Sequence, residues 1–199
     1  MIYEFSNKIS SKLIDKKVIK EEDKEIYTYG FEIVISSLLI LIGMVGLGIL
    51  LHQLLKVIVF ILFFCSLRIQ AGGYHAKSHL KCFIYFLLSC FFAILISYLL
   101  LDYERNLLII ILVLIESCII ILTYAPVDTI NKPLCDSEKI TYKKKSMITV
   151  IIQSLIIFTL SIFFNSLQSY YMVAAIAVFM ESITVLPIIN KRESEVKIC

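Results

Sequence analysis

Tryptophan is absent from this 199-residue sequence, and charge is scarce: only 18% of the residues are Asp, Glu, Lys or Arg. A soluble domain of this size carries about a quarter. Against that deficit stand 59% hydrophobic residues and a mean hydropathy of +0.90. One water-soluble core cannot hide so much apolar surface, so lipid has to act as solvent. Without Trp, any interfacial aromatic belt must come from the 11 Tyr and 13 Phe. The formal net charge of +3 is too small to argue for nucleic acid as a partner. Where the charges fall is more informative than their sum.

No cleavable signal peptide is visible either. The first 30 residues are polar throughout and have no compact apolar stretch ahead of a small-residue cleavage site. The first apolar run is therefore expected to serve as an uncleaved insertion signal. No internal repeat, low-complexity tract or separate soluble domain is visible, so residues 1–199 read as a single membrane domain. The six cysteines lack the spacing of a disulfide framework. Cys65, Cys90 and Cys118 lie in apolar runs, and Cys82, Cys135 and Cys199 lie in regions assigned below to the cytoplasm. No disulfide is expected there.

Crossing the hydrocarbon as a helix takes about 20 apolar residues, with every backbone polar group bonded internally. Five runs qualify: Ile33–Leu51, Phe83–Leu101, Leu107–Ala125, Met147–Phe164 and Tyr170–Ile189. A sixth, Leu54–Leu67, is short. It is expected to borrow His52 and Gln53 and to form a tight hairpin with the first run, a re-entrant segment being the alternative. The fold class that follows is an all-α polytopic membrane protein with about six transmembrane helices. Gly43, Gly46 and Gly48 in the first run permit close helix approach.

Of the 19 Lys and Arg, 17 fall in the N-terminal segment, the loops after the second and fourth spans, and the C-terminal tail. Only Lys56 and Arg105 fall on the other side. The positive-inside rule then assigns both termini and both longer loops to the cytoplasm. The expected partition is a cytoplasmic or interfacial segment at 1–30, a helical hairpin at 33–67 and a loop at 68–82. Helices three and four follow at 83–125, a second cytoplasmic loop at 126–146, helices five and six at 147–189, and a tail at 190–199. Within the first segment, Ile2, Phe5, Ile9 and Leu13 recur at helical spacing ahead of a polar run from Asp15 to Glu25. That pattern predicts an amphipathic helix on the inner membrane surface.

Most of the chemistry sits in residues 68–82, RIQAGGYHAKSHLKC. Gly72-Gly73 breaks a helix and permits unusual dihedrals. His75, His79 and Cys82 follow. A cysteine is a good nucleophile only as thiolate, which needs a neighbouring base or a field that favours the charge. Arg68, Lys77 and Lys81 supply positive charge, and a helix starting at Cys82 would turn its positive dipole end towards the thiol. These are the ingredients of a Cys–His dyad. On a continuous helix His75 lies about 10 Å from Cys82 along the axis, which favours His79 as the base. If the chain folds back at the glycines, His75 can reach. The residues alone leave the base open. They also allow a metal site of His75, His79 and Cys82 without a fourth ligand, or a plain polar connector.

The same stretch resembles the signature of the AgrB family, membrane cysteine peptidases of Gram-positive bacteria that process precursors of quorum-sensing peptides. Chain length, six apolar spans and the YAPVDTINKPL segment after the fourth span are similar as well, so the resemblance covers the whole chain. It implies that the His of the Gly-Gly-x-His element and the downstream Cys are the catalytic pair, here His75 as general base and Cys82 as nucleophile. His79 then becomes an ordinary loop residue. The implied activity removes the C-terminal tail of an AgrD-like precursor through a Cys thioester and promotes thiolactone or lactone closure. No cofactor, metal or nucleic acid is implied; the lipid bilayer and a homodimer are.

Supporting roles can be assigned to further residues. Arg68, Gly72 and Gly73 shape the loop. Asp128, just after Pro126, is placed to orient the His75 imidazole as a third group does in many such pairs, or is a solvated loop residue. Lys143, Lys144 and Lys145 anchor the chain on the inside and suit an acidic substrate segment. Glu116 and Glu181 lie inside apolar spans, where they are expected to pair with polar groups on a neighbouring helix or to stay protonated. A rival function, a small transporter or channel subunit, would use these two glutamates.

Overall fold

Each apolar run folds as a helix, the one open-ended conformation that bonds its own backbone without help from lipid. The computed structural model describes residues 2–73, 78–100, 103–127 and 134–188. Along them run α1 (Ile2–Asp15), α2 (Lys24–Leu50), α3 (Leu54–Ala71), α4 (His79–Leu99), α5 (Tyr103–Tyr124), α6 (Asp136–Phe163) and α7 (Gln168–Thr184). Five stretches are long and apolar enough to cross a membrane: Glu21–Leu50, Leu54–Ala71, His79–Leu99, Leu107–Tyr124 and Asp136–Phe163. The chain is an all-α polytopic membrane protein.

The last helix completes the set in a different way. α7 has 17 residues, about 25 Å of helix, at the lower limit for a crossing. Every residue from Tyr171 to Val178 is buried, so protein rather than lipid surrounds it. A helix apolar on all sides belongs in an interior, and Ala174, Ala175 and Ala177 are small enough to admit neighbours on every face. α3, α4, α5 and α6 all pack on α7, while α2 lies outside against α3 and α4, and α1 lies against α2.

Several boundaries differ from those read in the sequence. α3 does not borrow His52 and Gln53. These residues form the turn after α2, with His52 at φ 55°, and α3 instead continues unbroken past Leu67 to Ala71 because no glycine interrupts it before Gly72. It is a full helix, not a re-entrant segment. α4 begins at His79, where the Ser78 hydroxyl oxygen accepts the Lys81 N–H at 3.3 Å, an N-cap of the usual kind. Arg68 and Cys82 are therefore helical residues. α1 is helical as expected, but Ser6 and Ser10 are its buried residues while Tyr3 and Phe5 are exposed. Small residues four apart let α1 approach α2 closely. Cys65, Cys82, Cys90 and Cys118 are free thiols, whereas Cys135 is disulfide-bonded. That corrects the expectation of no disulfide, because spacing along a chain does not report approach in space.

Two of the four α2 glycines are used for close packing, and Gly30 meets nothing within 4 Å. A Cβ on Gly48 would lie 3.1 Å from both Leu54 Cα and Val57 Cγ2, and one on Gly43 would meet the Phe83 ring, whereas Gly46 faces nothing within 4 Å. Gly48→Leu is expected to lower stability by about 1–3 kcal/mol through overpacking of the hairpin. Gly46→Leu should stay within about 0.5 kcal/mol of the parent protein. Thermal unfolding in detergent micelles, followed by circular dichroism, checks the pair; equal losses would contradict this packing.

Candidate active site

The end of α3 carries the first charged group of the site. Arg68 Nη1 donates to Thr184 Oγ1 at 2.8 Å and faces Glu181 Oε1 at 3.5 Å. Thr184 Oγ1 in turn donates to the Glu181 backbone carbonyl at 2.8 Å. Glu181 is wholly buried, and its Oε2 has no hydrogen-bond partner among the described residues. Removing one member of such a pair leaves an uncompensated charge in an apolar interior. Glu181 thus follows the structural reading, pairing with a polar group on a neighbouring helix.

Directly after α3 the chain turns through Gly72 (φ 72°) and Gly73 (φ 117°), both in the region that favours glycine. A Cβ on Gly73 would strike Thr184 Oγ1 and lie 2.6 Å from Arg68 Nη1. A Cβ on Gly72 would strike the Val127 carbonyl oxygen. Only glycine lets the turn lie against both partners. Gly72 pairs with Val127 in an isolated parallel bridge, and the Val127 N–H donates to the Ala71 carbonyl at 2.9 Å. The two segments that carry the sequence motifs, Arg68–Gly73 and Ala125–Val127, therefore meet although they are far apart in the chain.

Cys82 lies in the first turn of α4, its N–H donating to the Ser78 carbonyl at 3.1 Å. The thiol is free and half-buried. The Arg68 guanidinium is close enough to act on it electrostatically. The side chains of a first helical turn also feel the positive end of the helix dipole. Such a thiol needs a proton acceptor before it can attack. His79 is exposed, and its Nε2 lies 3.4 Å from Glu32 Oε2 on α2. His75 and Asp128 lie outside the described residues.

The remaining candidates separate. The Lys143 ammonium donates to the Leu122 carbonyl at the end of α5, a cation at a helix C-terminus. Lys144 and Lys145 are exposed, with Lys145 Nζ 5.7 Å from the Tyr142 ring centroid. Glu116 departs from the expectation of an inward partner. The α5 register turns Ile110, Leu114, Ser117 and Ile121 inward and leaves Glu116 exposed. The two glutamates therefore do not line one path, which removes the main support for a transporter. Thr184 and the Val127 backbone were not singled out in the sequence. The apolar setting of both Arg68 and Glu181 is the signal that could have paired them.

The family model described as accessory gene regulator B matches residues 6–185, a range that holds Arg68, His75, Cys82, Asp128 and Glu181. An AgrB-like protein of Clostridium perfringens (strain 13 / Type A) is 32% identical over 170 residues, 78% of each chain. An accessory gene regulator protein B of Staphylococcus aureus (strain N315) is 29% identical over 164 residues, 82% of this chain and 83% of its own. No solved structure matches the chain.

Glu181→Ala is expected to cost about 3–5 kcal/mol of stability, because Arg68 loses its buried counter-charge. Replacing both partners by apolar residues (Arg68→Met with Glu181→Leu) should leave the protein closer to the parent than Glu181→Ala alone. The double-mutant cycle is read by thermal unfolding in micelles. Additive losses would show that the two side chains do not depend on each other.

Proposed function

The chain belongs to the accessory gene regulator B family, and we propose that within quorum-sensing peptide maturation it acts as a membrane cysteine endopeptidase on an AgrD-like precursor. The observation that carries this reading is a free, half-buried Cys82 in the first turn of α4, within the field of an Arg68 side chain fixed by Glu181 and Thr184. Cys82 supplies the nucleophile and His75 the general base. The engagement of His79 with Glu32 supports leaving the base role to His75. Asp128, one residue beyond the Val127 bridge, suits the task of orienting the imidazole.

The reaction proceeds in two acyl transfers. His75 takes the Cys82 proton, and the thiolate attacks the carbonyl carbon of the peptide bond before the C-terminal tail. The C–N bond breaks, the imidazolium returns its proton to the leaving amine, and the peptide stays on Cys82 as a thioester. A Cys thiol or Ser hydroxyl of the same peptide then attacks that thioester. A thiolactone or lactone ring closes, and Cys82 leaves as the thiol. A thioester keeps enough group-transfer potential for this exchange without ATP, provided water is held away. The excess of Lys and Arg supports a site on the cytoplasmic side. Exposed Lys144 and Lys145 suit an acidic tail, with Lys143 committed to capping α5.

Cys82→Ala and His75→Ala should each reduce precursor cleavage on the order of 10³-fold or more while the protein stays inserted. His79→Ala should keep substantial activity. Cleavage is read by gel mobility of a tagged precursor in membranes containing each variant, with and without a chelator. A Cys82→Ala protein that still matured the peptide would end this reading, and chelator-sensitive cleavage would replace it with a metal mechanism.

A further inference from the structure

At the end of the bundle opposite Cys82, α2 turns into α3 through His52 and Gln53. Lys56 follows in the first turn of α3 and is only 4% exposed. Its Nζ lies 3.7 Å from the centroid of the Tyr98 ring on α4. Among the described residues it donates no hydrogen bond and meets no carboxylate. A cation–π contact alone falls short of the cost of burying an ammonium. The charge is left wanting an anion.

The space for one is present. Lys56 lines a cleft of about 370 Å³ together with His52, Gln53, Leu54, Leu55 and Tyr170. The side chains of His52, Gln53 and Tyr170 make no hydrogen bond among the described residues. Gln53 is the N-cap of α3 and makes no side-chain cap bond, so the first N–H groups of an 18-residue helix also face this end. Beside these donors, Ile49, Leu50 and Leu55 are largely exposed. Polar donors around a buried cation, next to an apolar flank, match an amphipathic anion better than a free one.

We propose that this cleft binds the phosphate of an anionic phospholipid headgroup, in the leaflet opposite the candidate active site. Lys56 supplies the counter-charge, and Ile49, Leu50 and Leu55 lie along the acyl chains. The bound lipid bridges α2, α3 and Tyr170 of α7, which line the cleft, and so clamps three helices at the end remote from Cys82.

The test uses the full chain in detergent, titrated with phosphatidylglycerol or phosphatidylcholine. Retained lipid is counted by native mass spectrometry, and thermal unfolding is followed in parallel. Phosphatidylglycerol should be retained and raise the unfolding midpoint, whereas phosphatidylcholine should do neither. Lys56→Met, which keeps the buried stem, should weaken retention about fivefold or more, the scale of one lysine against an anionic headgroup; Lys56→Arg should preserve it. Tyr170→Phe removes a donor without touching the buried charge and should weaken retention measurably, which keeps the proposal testable if Lys56→Met does not fold. Inorganic phosphate alone should leave the midpoint unchanged. Equal retention of both lipids, undiminished retention by Lys56→Met and Tyr170→Phe, or a full shift from inorganic phosphate would each overturn the proposal.

Discussion

Arg68 and Glu181 sit on helices whose other surroundings are apolar, and each is tolerable mainly because the other is there. Their pairing, reinforced by Thr184, fixes the end of α3 against the end of α7. The seat of Gly73 follows, since the turn lies directly against that pair. Gly72 is then placed to bridge Val127, and Cys82 enters α4 within reach of the Arg68 field. A candidate nucleophile at a membrane edge is positioned in this way by one ion pair below it.

α3 acts as the common strut. Its first turn is held to α2 by the close approach of Gly48 to Leu54 and Val57, and to α4 by Lys56 over Tyr98. Midway, Gln153 of α6 donates to the Phe63 carbonyl at 2.9 Å and to the Ser66 hydroxyl at 2.7 Å. At its end Arg68 reaches α7. Lipid offers no hydrophobic incentive for apolar helices to associate, so polar side chains and close-packed small residues have to specify which faces meet. The polar residues of α3 do so one neighbour at a time.

How much of this was readable in advance depended on whether the signal was local. Helix-length apolar runs identified the crossings, because length and apolarity are what the bilayer demands. Helix ends were less legible: Gly72 ends α3 and Ser78 starts α4, and both features sit several residues inside the stretch first read as loop. The central place of α7 could not be read from hydropathy, which scores a lipid-facing and a protein-enclosed helix alike; the alanines among Tyr171–Val178 were the available hint. Glu116 and Glu181 looked equivalent in sequence, yet helix register sends one outward and the other to Arg68. The cysteine and glycines of the candidate site stood out by type and spacing, while Thr184 and the Val127 carbonyl matter only through contacts made across the fold.

The ion pair between α3 and α7 also sets an order for biogenesis. Arg68 enters the bilayer with the second crossing, but Glu181, which faces it, is on α7, the last of the described helices to be synthesised. Until α7 is in place, Arg68 lacks its contacts to Glu181 and Thr184, and Gly73 lacks the Thr184 side chain it packs against. A half-assembled bundle thus lacks part of the support that shapes its candidate site. The support beneath the candidate site is therefore complete only when α3 and α7 have met.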